Sequence, residues 1–245
     1  LQNEQAQKII AVAKKAPFGL GAKTMVDETV RKTWQLDPSQ ITMKNEHFLA
    51  GVGKAVATVK KQLGCDKKSV QANLYKVLLY EEGGHFKAHR DTEKEKGMFA
   101  TMVIQLPSKF DGGKITVRHA GKEKVVEMDG ERSGYCCKYA AHYSDCEHQV
   151  SEITSGYRLA LVYSLCWTAR GSPAPSADTG PAIIRQIAKI LPEICTGERN
   201  LFAWFLSHKY SESSILDSGI DALKGADAAV ATALRQANEL LPEDH

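Results

Sequence analysis

Between residues 71 and 167 the chain breaks into eight short runs separated by turn residues: "QANLYKVLLY", "HFKAHRD", "FATMVIQLP", "KITVRHA", "KEKVVEMD", "CKYAAHYSD", "EHQVSEI" and "GYRLALVYSLCW". Their length and their β-branched and aromatic content predict strands. Eight strands in under a hundred residues, with few helical patterns among them, leave a sandwich or a barrel-like jelly roll as the available architectures.

The flanks have a different texture. The segment up to about residue 70 reads as mainly helical. "NEQAQKIIAVAKKA" carries Ile9, Ile10, Val12 and Ala13 at helical spacing. "NEHFLAGVGKAVATVKKQLG" places Phe48, Leu49, Val52, Val56, Val59 and Leu63 on one side, with Asn45 as cap and Gly64 as stop. Between them lies a loop-rich stretch, residues 19–41, containing Arg31 and Trp34. After the strands comes "RGSPAPSADTGP", a linker by composition. Beyond it "AIIRQIAKIL" reads as a helix and "NLFAWFLSHKY" as a strand or a buried helical segment. "DALKGADAAVATALRQANELL" reads as helix in two pieces around Gly225. The expected division is therefore 1–70, an N-terminal helical and loop segment on the core; 71–167, the strand-rich core; 168–179, a linker; and 180–245, a mainly helical extension.

Composition closes some options. Lys and Arg number 32 against 29 Asp and Glu, a net charge of +3 that is spread along the chain, so no nucleic-acid face is expected. No apolar stretch reaches the ~20 residues of a membrane span. The six cysteines show neither the density nor the spacing of a disulfide scaffold, so reduced thiols and an intracellular setting, cytoplasmic or nuclear, are expected. The chain begins at Leu1 and not at methionine, which leaves room for a removed targeting segment.

The chemistry is concentrated in "HFKAHRD". Residues two apart in a strand share a face, so His89 and Asp91 project together while Arg90 points away. A histidine, any residue and an aspartate form a weak pattern by themselves, one that occurs by chance in many proteins. A third ligand has to come from elsewhere in the sheets. His148, 57 residues after Asp91, is the first candidate and His142 its rival. Two imidazoles and one carboxylate suit non-haem iron(II) and would also accept zinc, manganese or cobalt. His85 reads as a loop histidine. Arg158 follows His148 by ten residues, on the far arm of a strand–turn–strand pattern. A hairpin there would fold the guanidinium back beneath the metal, where it suits a carboxylate through two parallel hydrogen bonds. The competing reading is a structural salt bridge.

With these residues assembled, the stretch from Tyr75 to Leu165 resembles the 2-oxoglutarate and iron(II)-dependent oxygenases, and most closely their prolyl 4-hydroxylase-like branch. The resemblance is carried by "LLYEEGGHFKAHRD", "FATMVIQLP", "FDGGKITV" and "HQVSEITSGYRLALVY" in the family's order and spacing. It implies an α+β protein with a double-stranded β-helix (jelly-roll) core and flanking N- and C-terminal helices. It also implies iron(II) on His89, Asp91 and His148, 2-oxoglutarate held by Arg158 and Tyr80, and dioxygen as the oxidant. There are departures: Arg158 and Gln105 stand where prolyl 4-hydroxylases often have lysine and tyrosine, and the usual threonine after Gly112-Gly113 is Ile115 or shifted to Thr116. The expected activity is hydroxylation of a C–H bond on a peptide or protein side chain, prolyl among them. The alternatives are a small-molecule substrate or a non-catalytic metal-binding module, and nucleic-acid demethylation ranks below both.

Overall fold

The structure, a computed structural model, describes residues 1–20, 23–65, 69–168, 181–194 and 203–241. It divides into two compact units, Leu1–Ala55 with Gln71–Cys166, and Val56–Val70 with Trp167–His245.

In chain order the elements are α1 (Asn3–Ile10), β1 (Lys14–Lys15), β2 (Phe18–Leu20), β3 (Lys23–Met25), β4 (Arg31–Lys32), β5 (Trp34–Leu36) and α2 (Glu46–Gln62). The strand-rich stretch follows as β6 (Val70–Tyr80), β7 (His85–His89), β8 (Met98–Gln105), β9 (Phe110–Gly112), β10 (Ile115–His119) and β11 (Lys122–Val126). It ends with β12 (Lys138–Tyr143), β13 (Glu147–Val150), β14 (Ile153–Gly156) and β15 (Arg158–Trp167). Each of the eight strand segments read from the sequence is present. Asn45 caps α2 through its side-chain oxygen, which accepts from the Phe48 amide at 3.1 Å.

The chain alternates between two sheets. One has the order β1-β5-β6-β15-β8-β12, the other β11-β10-β13-β7-β4. From β6 to β7 to β8, and again from β11 to β12 to β13, successive strands fall in opposite sheets. That winding is the double-stranded β-helix, and closing two sheets on each other lets both bury one face. The core shows the closure directly. Leu78 and Tyr80 of β6 pack in one cluster with Ile115 of β10 from the opposite sheet, with Phe110, Met128 and Ile153 filling the end. Gly83 makes the crossing into β7 possible, since its backbone sits at φ +76°, a conformation side chains rarely adopt.

Two expectations need correction. Residues 19–41 are not simply a loop between helices: β5 pairs with β6 (Trp34↔Leu79) and β4 with β7 (Arg31↔Phe86), so the N-terminal segment completes both sheets. Strands of two or three residues carry no periodicity, and only tertiary pairing creates them. The hairpin expected to bring Arg158 under His148 is also absent. β13 pairs with β7 and β10, β14 pairs with β9, and β15 joins the other sheet beside β8. The chain crosses from one sheet to the other in that interval, so Arg158 meets the cavity from across the core.

The second unit contains α3 (Pro181–Ile194), α4 (Glu212–Ser218) and α5 (Gly225–Asn238), with α3 and α5 in contact. Residues 203–210 form neither helix nor strand. They are held by Asp227, 1% exposed, whose carboxylate accepts from the amides of Ser207 (2.8 Å) and His208 (2.9 Å) and from the Tyr210 hydroxyl (2.8 Å). Of the expected linker, 168–179, residues 169–179 lie outside the described residues. Among those described, no helix is long and apolar enough to cross a membrane, and five cysteines are free thiols.

Candidate active site

β7 ends at His89, and its neighbour β13 places His148 directly opposite, as register partners. The rings lie 4.2 Å apart between centroids. Asp91 follows just past the strand, where its amide donates to the Ser144 carbonyl at 3.0 Å. One ligand atom from each of His89, Asp91 and His148 lies within 4.8 Å of the other two. His148 Nε2 and Asp91 Oδ2 are 3.8 Å apart.

The hydrogen bonds select the tautomers. His89 Nδ1 sits 2.8 Å from the Lys87 carbonyl oxygen, and His148 Nδ1 sits 3.1 Å from that of Cys146. A carbonyl can only accept, so Nδ1 carries the hydrogen in both rings and Nε2 keeps its lone pair. Burial pushes His89 down to about 4 and lowers His148 as well, so both imidazoles are neutral at pH 7. For Asp91 burial acts upward. His148, His142 and the hydrogen bond from Thr101 outweigh it and hold the carboxyl below its ordinary value. Two neutral nitrogen donors and one carboxylate thus converge in the state a metal requires.

His142, the rival for third ligand, packs its ring 4.0 Å from His148 and gives Nδ1 to the Tyr143 carbonyl at 3.0 Å. Among the described residues it is not a member of the converging set. His85 turns away, with Nδ1 3.0 Å from the Gly83 carbonyl and Nε2 3.3 Å from that of Thr29.

Arg158, 1% exposed, lines the same cavity as the triad. Its guanidinium reaches the Gly113 carbonyl at 3.4 Å and the Met128 sulfur at 3.7 Å, while Nε has no partner. Its Cζ lies 5.5 Å from the centre of the Tyr80 ring. No carboxylate among the described residues forms an ion pair with it. The structural salt bridge offered by the sequence is therefore not what occupies this arginine. A buried, unpaired guanidinium is costly, and its cost is relieved by an anion entering the cavity. The cavity measures about 390 Å³ and is lined by Arg158, Tyr80, the triad, Arg31 and Lys76.

Some of these residues were not legible beforehand. Thr101, whose hydroxyl donates to Asp91 Oδ2 at 2.6 Å, sits on β8 of the opposite sheet. Its only signal was its position on the inward face of a strand. Lys76, on β6, also lines the cavity. Arg31 lines it as well. Trp34 does not: its indole N–H donates to Glu81 at 2.8 Å and Lys15 lies 3.7 Å over its ring. Gln105 is fully buried against Ser108 and the Ser133 carbonyl, away from the cavity lining.

The residues fit the groups that the resemblance implies. The Nε2 lone pairs of His89 and His148 with the Asp91 carboxylate form a donor set suited to ferrous iron. The orphaned Nε of Arg158 suits the far carboxylate of 2-oxoglutarate.

Comparison with known proteins agrees over the same stretch. Residues 75–165 match the model of the 2OG-Fe(II) oxygenase superfamily. No curated protein matches the chain. Similar solved structures include a Pseudomonas putida prolyl-4-hydroxylase at 19% identity, covering 66% of this chain and 83% of that one with a TM-score of 0.44. A Trichoplax adhaerens prolyl hydroxylase, in complex with a hypoxia inducible factor peptide fragment, is 14% identical over 66% of this chain and 75% of that one, with a TM-score of 0.49. The viral collagen prolyl hydroxylase of Paramecium bursaria Chlorella virus-1, a 2-oxoglutarate complex, is 14% identical over 69% and 92% with a TM-score of 0.40. The double-stranded β-helix of this chain, with its paired histidines, aspartate and buried arginine, is the part that matches the 2OG-Fe(II) oxygenase superfamily.

Proposed function

We propose that the protein is a 2-oxoglutarate-dependent hydroxylase whose iron(II) is held by His89, Asp91 and His148 and whose cosubstrate is anchored by Arg158 and Tyr80. The observation that carries this reading is the presence, in one cavity, of a neutral two-histidine, one-carboxylate set and a buried guanidinium without a protein partner. Bound iron(II) and 2-oxoglutarate would supply dioxygen activation, leaving succinate, carbon dioxide and a hydroxylated C–H bond.

The protein's own groups supply placement. His89 and His148 present lone pairs fixed by their carbonyl contacts, so no proton has to leave before the metal is held. Asp91 contributes the single negative charge, aimed by Thr101. Arg158 fixes the end of the cosubstrate that does not react, and the wall around Tyr80, Phe110 and Met128 keeps water from that end.

The substrate is proposed to be a peptide or protein side chain, prolyl among the candidates. A cavity of about 390 Å³ favours a second reading, a small molecule, since it falls in the range of ordinary small-ligand pockets. A screen of peptides and free amino acids for gain of one oxygen atom by mass, with iron(II) and 2-oxoglutarate present, separates the two. Oxygen gain in peptides alone supports the first reading and in free metabolites alone the second. No gain in any compound, together with no succinate release, would contradict the hydroxylase assignment.

A further inference from the structure

The cavity holds a second buried arginine that the proposed chemistry does not use. Arg31 is on β4, in register with Phe86 of β7, and is only 8% exposed. Its Cζ lies 4.4 Å over the Phe86 ring, and that ring stacks on His89 with centroids 3.5 Å apart. One Arg31 NH1 bond runs to the Pro17 carbonyl at 2.7 Å, and the Tyr80 side chain and the charge of Asp91 also act on the guanidinium, while Nε has no partner. No carboxylate among the described residues pairs with it.

The charges around it are one-sided. Arg31, Lys76, Arg90, Lys94 and Arg158 line the cavity, and Asp91 is the only carboxylate among the lining residues. Binding of iron(II) and of dianionic 2-oxoglutarate would leave that excess intact, because their charges cancel. Arg158 would be neutralised by the cosubstrate, but Arg31 would not. Lys76 reports the crowding: burial, and then the nearby charges of Arg31 and Lys94, push its ammonium down to about 8. A buried guanidinium with an open Nε–H is a fork waiting for an oxyanion.

We propose that Arg31, with Lys76 beside it in the cavity lining, forms an anion subsite that receives a carboxylate carried by the substrate itself, distinct from the one Arg158 provides. The proposal rests on the oxygenase reading above and narrows its substrate class to acidic compounds or acidic peptide segments. Phe86, between Arg31 and His89, sets the spacing between the anchored carboxylate and the metal ligands.

The test follows the arginine Nε–H signals by NMR in the zinc-loaded protein, which takes the metal without turnover. Arg31→Lys and Arg158→Lys assign the two signals by their loss. Saturating 2-oxoglutarate is expected to shift Arg158 and to leave Arg31 in place. Acetate added next is expected to shift Arg31, and acetamide, its neutral counterpart, is not. In Arg31→Gln the acetate response at the Phe86 amide should weaken by about tenfold or more, while the Arg158 response to 2-oxoglutarate persists and shows that the fold is intact. Blocked Gly-Glu-Gly against Gly-Gln-Gly then tells whether a peptide-borne carboxylate reaches the site. A response to acetate alone assigns it to free acids, and a response to both to peptides as well. An Arg31 signal unmoved by acetate at tens of millimolar overturns the subsite. So does one already shifted by 2-oxoglutarate, for Arg31 then belongs to the cosubstrate. Failure of Arg158 to respond would instead count against the oxygenase reading.

Discussion

The Thr101 hydroxyl donates to Asp91 Oδ2 at 2.6 Å, tying the one carboxylate of the triad to the sheet opposite the one that carries both histidines. Asp91 lies beyond the end of β7, where backbone pairing no longer fixes its direction, so this bond sets its aim. Thr101→Val keeps shape and removes the donor. It should lower metal affinity roughly 10- to 100-fold with little loss of fold, read by titration of the metal-free protein with cobalt(II). Unchanged affinity would show that the Ser144 contact alone orients Asp91.

Burial holds His89 and His142 down at about 4, below the ordinary imidazole value of roughly 6.5. Burial lowers both ligand imidazoles, His89 and His148, so metal uptake should depend less on pH below 7 than it would with a solvent-exposed pair. Stability has a definite sign. The unfolded chain takes up these protons below about 6.5 and the folded one does not until about 4. The metal-free protein should lose stability as pH falls through that window, on the order of 3 kcal/mol for the buried His142 and less for the partly exposed His89. Urea unfolding at pH 7 and pH 5 measures it. Stability unchanged between them would mean that the imidazoles are solvated.

Arg158 separates a functional from a structural role. Arg158→Met removes a buried charge that forms no ion pair, so the metal-free fold should be as stable as the parent or more stable by about 1–4 kcal/mol. Affinity for 2-oxoglutarate should fall about 100-fold or more. Calorimetric unfolding and cosubstrate binding read the two effects. A variant that melts early and binds normally would make the arginine a structural element.

In the second unit, Asp227 holds residues 207–210 through two amides and a hydroxyl. Asp227→Ala should destabilise that unit by about 2–3 kcal/mol and raise proteolysis near Ser207. Unchanged proteolysis there would show that the carboxylate does not hold the segment.

The parts visible in the sequence were those fixed by short-range spacing. His89 and Asp91 lie two apart and do converge, although Asp91 falls just past the end of β7; turn punctuation narrows the strands to a sandwich or a jelly roll, and the resemblance supplies the double-stranded β-helix. His148 over His142 was an assignment by resemblance, and the structure brings the His148 nitrogen, from a register partner of His89, into the converging set. What the sequence hid depends on which sheet a strand joins. The pattern around "TSG" looks like a hairpin, yet β15 leaves for the other sheet. Thr101 and Lys76 lie on apolar strands whose inward faces acquire meaning only once the sheets close. β4 consists of two residues, so its pairing with β7 could not be read locally.

The central claim is that His89, Asp91 and His148 hold one iron(II) that works on 2-oxoglutarate. Succinate release from 2-oxoglutarate in air, with and without added iron(II), tests it most directly when parent, His89→Ala and Asp91→Ala are run side by side. The account predicts iron-dependent succinate in the parent and none above background in either variant. Equal release by all three, or none from a parent shown to bind iron, would contradict it.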